Sequence, residues 1–313
     1  MSLELVKTDR FIDRSKFAVY DFPSLDSFLS AEKISTGIQC INDGGLPIDM
    51  HYTSASSRTL VVVFHGAAAE NVRLPWLIGQ GVTKDIGVSR LFISDPSLYL
   101  TPEVKLSWFA GNHAQPDLQH KLVQIVSRVA QAAGADYLVF LGGSGGGFAA
   151  LKLSHAFPGS LAVPMNPQTL LERHHPTTLG KYAQHCWNGA AFVDLPRNIV
   201  TSLPALYAQG TPNTVAYLQN DDDEFHIRNH LNPFIDSLPP DAMVGLLRRP
   251  WGERHQPPPR DLVRHLMRRA AEVEGDWQLM LDTEGFITVA EYNGAYPRPG
   301  VGHLTDEVML PGR

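Results

Sequence analysis

Along the chain, short unbroken apolar runs alternate with longer stretches in which apolar residues recur every three or four positions. Leu60-Val61-Val62-Val63-Phe64, Leu91-Phe92-Ile93, Tyr137 to Leu141, Leu161 to Met165, Val215 to Leu218 and Met243 to Leu247 are of the first kind. Runs of this length without polar alternation have the composition of strands covered on both faces. The clearest stretch of the second kind is Asp117 to Ala133. There Leu118, Leu122, Ile125, Val126, Val129 and Ala133 form one stripe, Asp117 stands at the cap position, and Gly134 ends the helix. A small-residue helix is expected from Gly146 to His155, a helix from Phe225 to Ile235, and another from Asp261 to Val273 with Asp261 as its cap.

Strand and helix therefore alternate from about residue 59 to 273, which predicts an α/β fold: a mostly parallel central sheet with helices on both faces. Ahead of it, Ile34 to Ile41 and Ile48 to Tyr52 read as two strands joined at Asn42-Asp43-Gly44-Gly45. The expected organisation is an amino-terminal extension over 1–33, a core over 34–273 and a carboxyl-terminal extension over 274–313. Residues 170–212, with their aromatics, prolines and short helical patches, stand outside the rhythm as a lid insertion. In the last extension, Trp277 to Leu281 and Phe286 to Glu291 are expected to form a β-hairpin about Asp282-Thr283-Glu284-Gly285.

One cluster carries chemistry. Gly142-Gly143-Ser144-Gly145-Gly146 fits G-x-S-x-G, directly after a buried strand and before a helix. A serine on so tight a turn needs a strained backbone, and glycines around it let neighbouring chains approach without Cβ clashes. A phosphate-binding P-loop fails for want of a lysine after the glycines. The looser dinucleotide fingerprint, Gly145-x-Gly147-x-x-Ala150, lacks an acidic residue about 20 positions on at a strand end. Ser144 is therefore the candidate nucleophile.

On these residues the chain resembles the α/β-hydrolase superfamily over roughly 34–273. Phe64-His65-Gly66-Ala67 follows an earlier buried strand, where esterases of this fold carry an H-G motif. The resemblance implies an oxyanion hole from the Ala67 and Gly145 amides, with His65 holding the loop. It also places the acid after the strand that follows the lid. Tyr217-Leu218-Gln219-Asn220 leads into Asp221-Asp222-Asp223, and the family's spacing selects Asp223, with Asp222 close behind. For the base, His255 and His303 compete. His255 lies in the proline-stiffened loop Trp251 to Pro258, ahead of the last core helix, which preserves the family's order without a gap. His303, in Gly300-Val301-Gly302-His303, lies later.

The implied activity is that of a serine hydrolase acting on an ester, thioester or amide through an acyl-enzyme, with Ser144, Asp223 and His255 as triad and no cofactor or metal. Met165-Asn166-Pro167-Gln168-Thr169, with Gln219-Asn220 and Trp251-Gly252, is similar to a branch associated with surface-glycan synthesis and accessory secretion. That branch implies O-acyl transfer on carbohydrate, with Asn166 and Gln168 able to bond sugar hydroxyls or merely to cap a turn. A catalytically silent fold used for binding is the alternative from another class. His226 and His230, spaced i, i+4 beside the aspartates, could ligate a metal, but H-E-x-x-H is absent and no third ligand is evident, so a surface or supporting role is expected.

Composition narrows the partners. The 313 residues carry a formal net charge of −6. The most basic stretch, Arg260 to Arg269, is interleaved with apolar positions, so no nucleic-acid partner is expected. No apolar run approaches the ~18 residues of a membrane span. The amino terminus lacks the charged-then-apolar pattern of a signal peptide, and Cys40 and Cys186 read as reduced packing residues, so a cytoplasmic location is expected.

Overall fold

A computed structural model describes residues 3–297. Among these residues ten strands form one sheet: β1 Val19–Phe22, β2 Gly37–Asp43, β3 Leu46–Thr53, β4 Thr59–Phe64, β5 Ser89–Ile93, β6 Tyr137–Gly143, β7 Leu161–Met165, β8 Thr214–Asn220, β9 Val244–Arg249 and β10 Ile287–Thr288. Their spatial order is β1-β2-β3-β5-β4-β6-β7-β8-β9-β10. From β5 to β9 every pairing is parallel, while β2–β3, β3–β5 and β9–β10 are antiparallel. The fold is thus α/β, as the alternation of patterns predicts. Among the described residues no helix is long and apolar enough to cross a membrane.

The central strand shows why. All six residues of β4 are buried. Leu60, Val62 and Phe64 face the layer closed by the helix Leu118–Ala133, whereas Val61 and Val63 face the layer closed by the helix Arg260–Glu272. A strand covered on both faces has no polar positions to alternate, hence its continuous apolar run. Asp117 does begin the first of these helices, but its side chain makes no cap bond and pairs with Lys121 at 2.8 Å instead. The second begins at Arg260, with Pro259 rather than Asp261 at the cap position.

Two terminal regions differ from expectation. Residues within 1–33 supply a tenth strand, β1, parallel to β2, and Arg10 clamps the wholly buried Asp49 of β3 through two bonds of 2.7 and 2.8 Å. The expected carboxyl-terminal hairpin is absent. Trp277–Thr283 is a helix, Ile287–Thr288 a two-residue strand against β9, and Val289–Ala295 another helix. The reason is spacing: Trp277, Met280 and Leu281 are buried together at helical intervals, and Asp276 caps Leu279.

The segment between β7 and β8 carries the helix Pro176–Cys186 and the short helix Leu203–Tyr207, whose Tyr182, Cys186 and Tyr207 are fully buried. Tyr182 donates to the Gly111 carbonyl at 2.9 Å, which ties the segment to the loop before the helix Leu118–Ala133. Both cysteines are free and buried, and burial pushes their thiols well up from the ordinary value.

Candidate active site

The loops that leave the carboxyl ends of β4, β6, β7, β8 and β9 converge, the usual place for a site in an open parallel sheet. Ser144 stands between β6 and the helix Gly145–Ser154 with φ 54 and ψ −118, outside the regions an L-residue prefers. Its amide donates to the Met165 carbonyl of β7 at 2.9 Å, and its carbonyl accepts from Gly147 at 3.0 Å. The turn is held from both sides, so the strain is carried by the sheet and the helix. Gly146 is required by close approach: a Cβ there would meet the Phe64 carbonyl and lie 2.7 Å from that of His65.

Gly145 is the first residue of its helix, so its N–H has no acceptor within the helix. The chain after β4 runs beside it, and a Cβ on Gly66 would lie 3.5 Å from that of Ser144. His65 is buried. Its Nδ1 donates to the Gly66 carbonyl at 2.7 Å and its Nε2 accepts from the Asp95 amide at 2.9 Å. Burial lowers its pKa, which keeps it in the neutral tautomer those two bonds require. Turned this way, the Gly66 carbonyl is spoken for, and Ala67 follows in an exposed position.

Asp223 is 3 % exposed and holds two imidazoles at once. Its Oδ1 accepts from His226 Nδ1 at 2.9 Å, and its Oδ2 from His255 Nδ1 at 2.5 Å. Burial opposes ionisation, but the bonds from His226 and His255 outweigh it and hold the carboxyl well below the usual range. The two rings stack at 4.0 Å with 15° between their planes. His226 is buried, and that burial lowers its pKa against the opposing pull of Asp223. The His255 side chain is 40 % exposed and lines a cleft of about 690 Å³ together with Asp223, His226, Arg228 and Arg254.

The other aspartates part company with Asp223. Asp221 pairs with Arg248 at 2.5 Å, and Asp222 is exposed. His303 lies outside the described residues. His226 was expected to be a surface or supporting group; it is buried on the carboxylate, and its signals in the sequence were its i, i+4 spacing to His230 and its place beside the aspartates. His230, also buried, accepts the Thr169 amide at 3.3 Å through Nδ1.

The two residues after β7 separate sharply. Asn166 is taken up by backbone: its Oδ1 accepts from Asn220 N at 2.6 Å and its Nδ2 donates to the Gln256 carbonyl at 2.7 Å. Its side chain builds the loop and is not presented to the cleft as a sugar-binding group. Gln168, 1 % exposed, reaches Ser144 Oγ at 2.7 Å through Nε2, while its Oε1 accepts from the Trp108 indole at 2.6 Å. Trp108 sits in irregular chain with no motif around it, so nothing in the sequence marked it.

Asp223, His226 and His255 are also a set of potential metal ligands, with ligand atoms within 4.8 Å of one another. Imidazole lone pairs lie in the ring plane, and two stacked rings direct theirs along separate planes. As arranged, the set suits one carboxylate shared by two hydrogen-bond donors better than a metal centre.

Solved structures place this architecture. The acetyl xylan esterase from Paenibacillus sp. R4 superposes with a TM-score of 0.53 at 12 % identity, over 80 % of this chain and 92 % of that one. The S-formylglutathione hydrolase from Agrobacterium tumefaciens gives 0.51 at 12 % identity, over 77 % and 94 %. A puromycin hydrolase gives 0.51 at 15 % identity, over 80 % of this chain and 39 % of that one. No family model matches the sequence, and no curated protein is similar to it in sequence. The chain has an α/β-hydrolase-type fold.

Proposed function

We propose that this protein is a serine hydrolase that cleaves an ester, thioester or amide through an acyl-enzyme on Ser144. The observation that carries the reading is the serine at φ 54 between β6 and its helix, linked through Gln168 to His226, which shares with His255 a buried carboxylate that holds both imidazoles by Nδ1. With Nδ1–H on Asp223, His255 keeps the lone pair of Nε2, the form a general base needs.

In the first half-reaction Ser144 Oγ bonds to the acyl carbon and its proton passes to His255 Nε2. The oxyanion is met by the Gly145 and Ala67 amides. Collapse breaks the bond to the leaving group, which takes the proton from His255. Water then repeats the sequence in reverse, gives up a proton to His255, releases the acid and returns Ser144 to the hydroxyl.

A fluorophosphonate probe tests this directly. Folded protein should give a single adduct on Ser144, and Ser144→Ala should lower turnover of p-nitrophenyl acetate by about 10⁴-fold or more. An unlabelled, inactive wild type with a normal melting curve would instead indicate a hydrolase fold used for binding. A series of longer p-nitrophenyl esters reads the length of the acyl pocket.

A further inference from the structure

We infer that Gln168, oriented by Trp108, is a positioning residue that aims the proton of Ser144; the inference rests on Ser144 being the nucleophile. An indole N–H can only donate, so the Gln168 atom 2.6 Å from Trp108 Nε1 is the carbonyl oxygen. That fixes the amide nitrogen on the other side, where it faces Ser144 Oγ at 2.7 Å and His226 Nε2 at 3.4 Å. His226 Nε2 is an acceptor, because the proton of that ring sits on Nδ1 toward Asp223. Both amide hydrogens therefore have acceptors, and flipping the amide would set donor against donor at Trp108 and acceptor against acceptor at His226, while turning Ser144 Oγ from acceptor into donor.

The consequence falls on the serine hydroxyl. Since Oγ accepts from Gln168, its own hydrogen must point elsewhere, and so remains available to the imidazole that takes it. The Gln168 backbone amide donates to the Ser144 carbonyl at 3.2 Å, so main chain and side chain pin the same residue. With Gln168 1 % exposed, water does not compete for these bonds. The same N–H remains on Oγ when the acyl-enzyme breaks down and Oγ departs with developing negative charge. Deacylation should therefore gain from it as well.

Two substitutions separate this role from packing. Gln168→Met keeps the length and removes the donor. Gln168→Glu keeps an acceptor for Trp108 but offers Ser144 a second acceptor, which invites the hydroxyl proton away from His255. Labelling rate by the fluorophosphonate and kcat for p-nitrophenyl acetate should fall about 10²-fold in both, with KM little changed. In Gln168→Glu the acid limb of kcat/KM should also move to higher pH, because a new negative charge faces His226, which stacks on His255 over Asp223, with His230 and His174 packed behind. Packing loss alone would lower the melting temperature without moving that limb. If Gln168→Met does not fold, Gln168→Glu decides. Labelling of Ser144 at the wild-type rate in a folded Gln168→Glu protein overturns the inference while leaving the nucleophile intact. Failure of the wild type to label overturns both.

Discussion

The turn that carries Ser144, the proposed nucleophile, and the loop that carries His255, the proposed base, are built in opposite ways. Ser144 is gripped by backbone: strand β6 on one side, a helix on the other, Met165 and Gly147 bonded to its own amide and carbonyl. His255 hangs on side chains. Asn220 holds its loop at three points, donating to the Gly252 and Arg254 carbonyls at 2.7 and 2.5 Å and accepting from Trp251 N at 2.7 Å. Asn166 adds a fourth bond, to Gln256. The first owes its geometry to neighbours in sequence and in the sheet. The second owes it to polar bonds between residues more than 30 positions apart, and it is the side exposed to solvent.

The contrast is sharpest for the two imidazoles that share Asp223, one exposed and one buried. His255→Ala should cost about 10⁴-fold in kcat/KM, the loss expected when the base of a triad is disabled. A His255→Ala variant that still turns over p-nitrophenyl acetate would move the base to His226 or to His303. Next in size, Asn220→Ala should lower kcat by about 10²-fold through misplacement of the loop, with Ser144 labelling slowed in step. An unaffected Asn220→Ala enzyme would mean the loop is held by its prolines alone. His226→Ala should cost only about tenfold, the worth of one hydrogen bond to a charged group at ~1.5 kcal/mol.

The last effect concerns stability rather than rate. Burial lowers the pKa of His65, of His226 and of His230, the last to about 2, below their ordinary value of 6.5. The unfolded chain then binds protons that the folded chain refuses. Stability is full above about pH 6.5 and falls as pH drops below it, by up to about 1.4 kcal/mol per pH unit for each such group. Asp223, held low, adds its loss only in the more acid range that follows. Thermal melts from about pH 7 to pH 5 should show the decline. His230→Asn, which retains an acceptor for the Thr169 amide, should flatten it. A flat wild-type curve would contradict the burial assigned to these rings.

Ser144 was legible because an elbow is a local object. The glycines, the apolar run before them and the small-residue helix after them are contiguous, and each is demanded by steric contact within a few residues. The place of Asp223 after a buried strand was legible for a related reason, and the same chain order selected His255, whose ring the structure sets on that carboxylate. The carboxyl-terminal segment was misread because apolar residues over so few positions satisfy a strand or a helix equally. Only the packing of Trp277, Met280 and Leu281 against the sheet chose the helix.

By itself, then, the amino-acid sequence determined the parallel sheet and the strained turn at Ser144, both of which depend on short-range sterics and on which faces must be buried. Tertiary structure alone decided that His226 shares the carboxylate, that Asn166 turns inward to backbone while Gln168 turns to Ser144, and that Trp108 sets the direction of that amide. Those outcomes depend on hydrogen-bond partners brought together from distant parts of the chain, and no local pattern of residues encodes which partner a buried polar group will find.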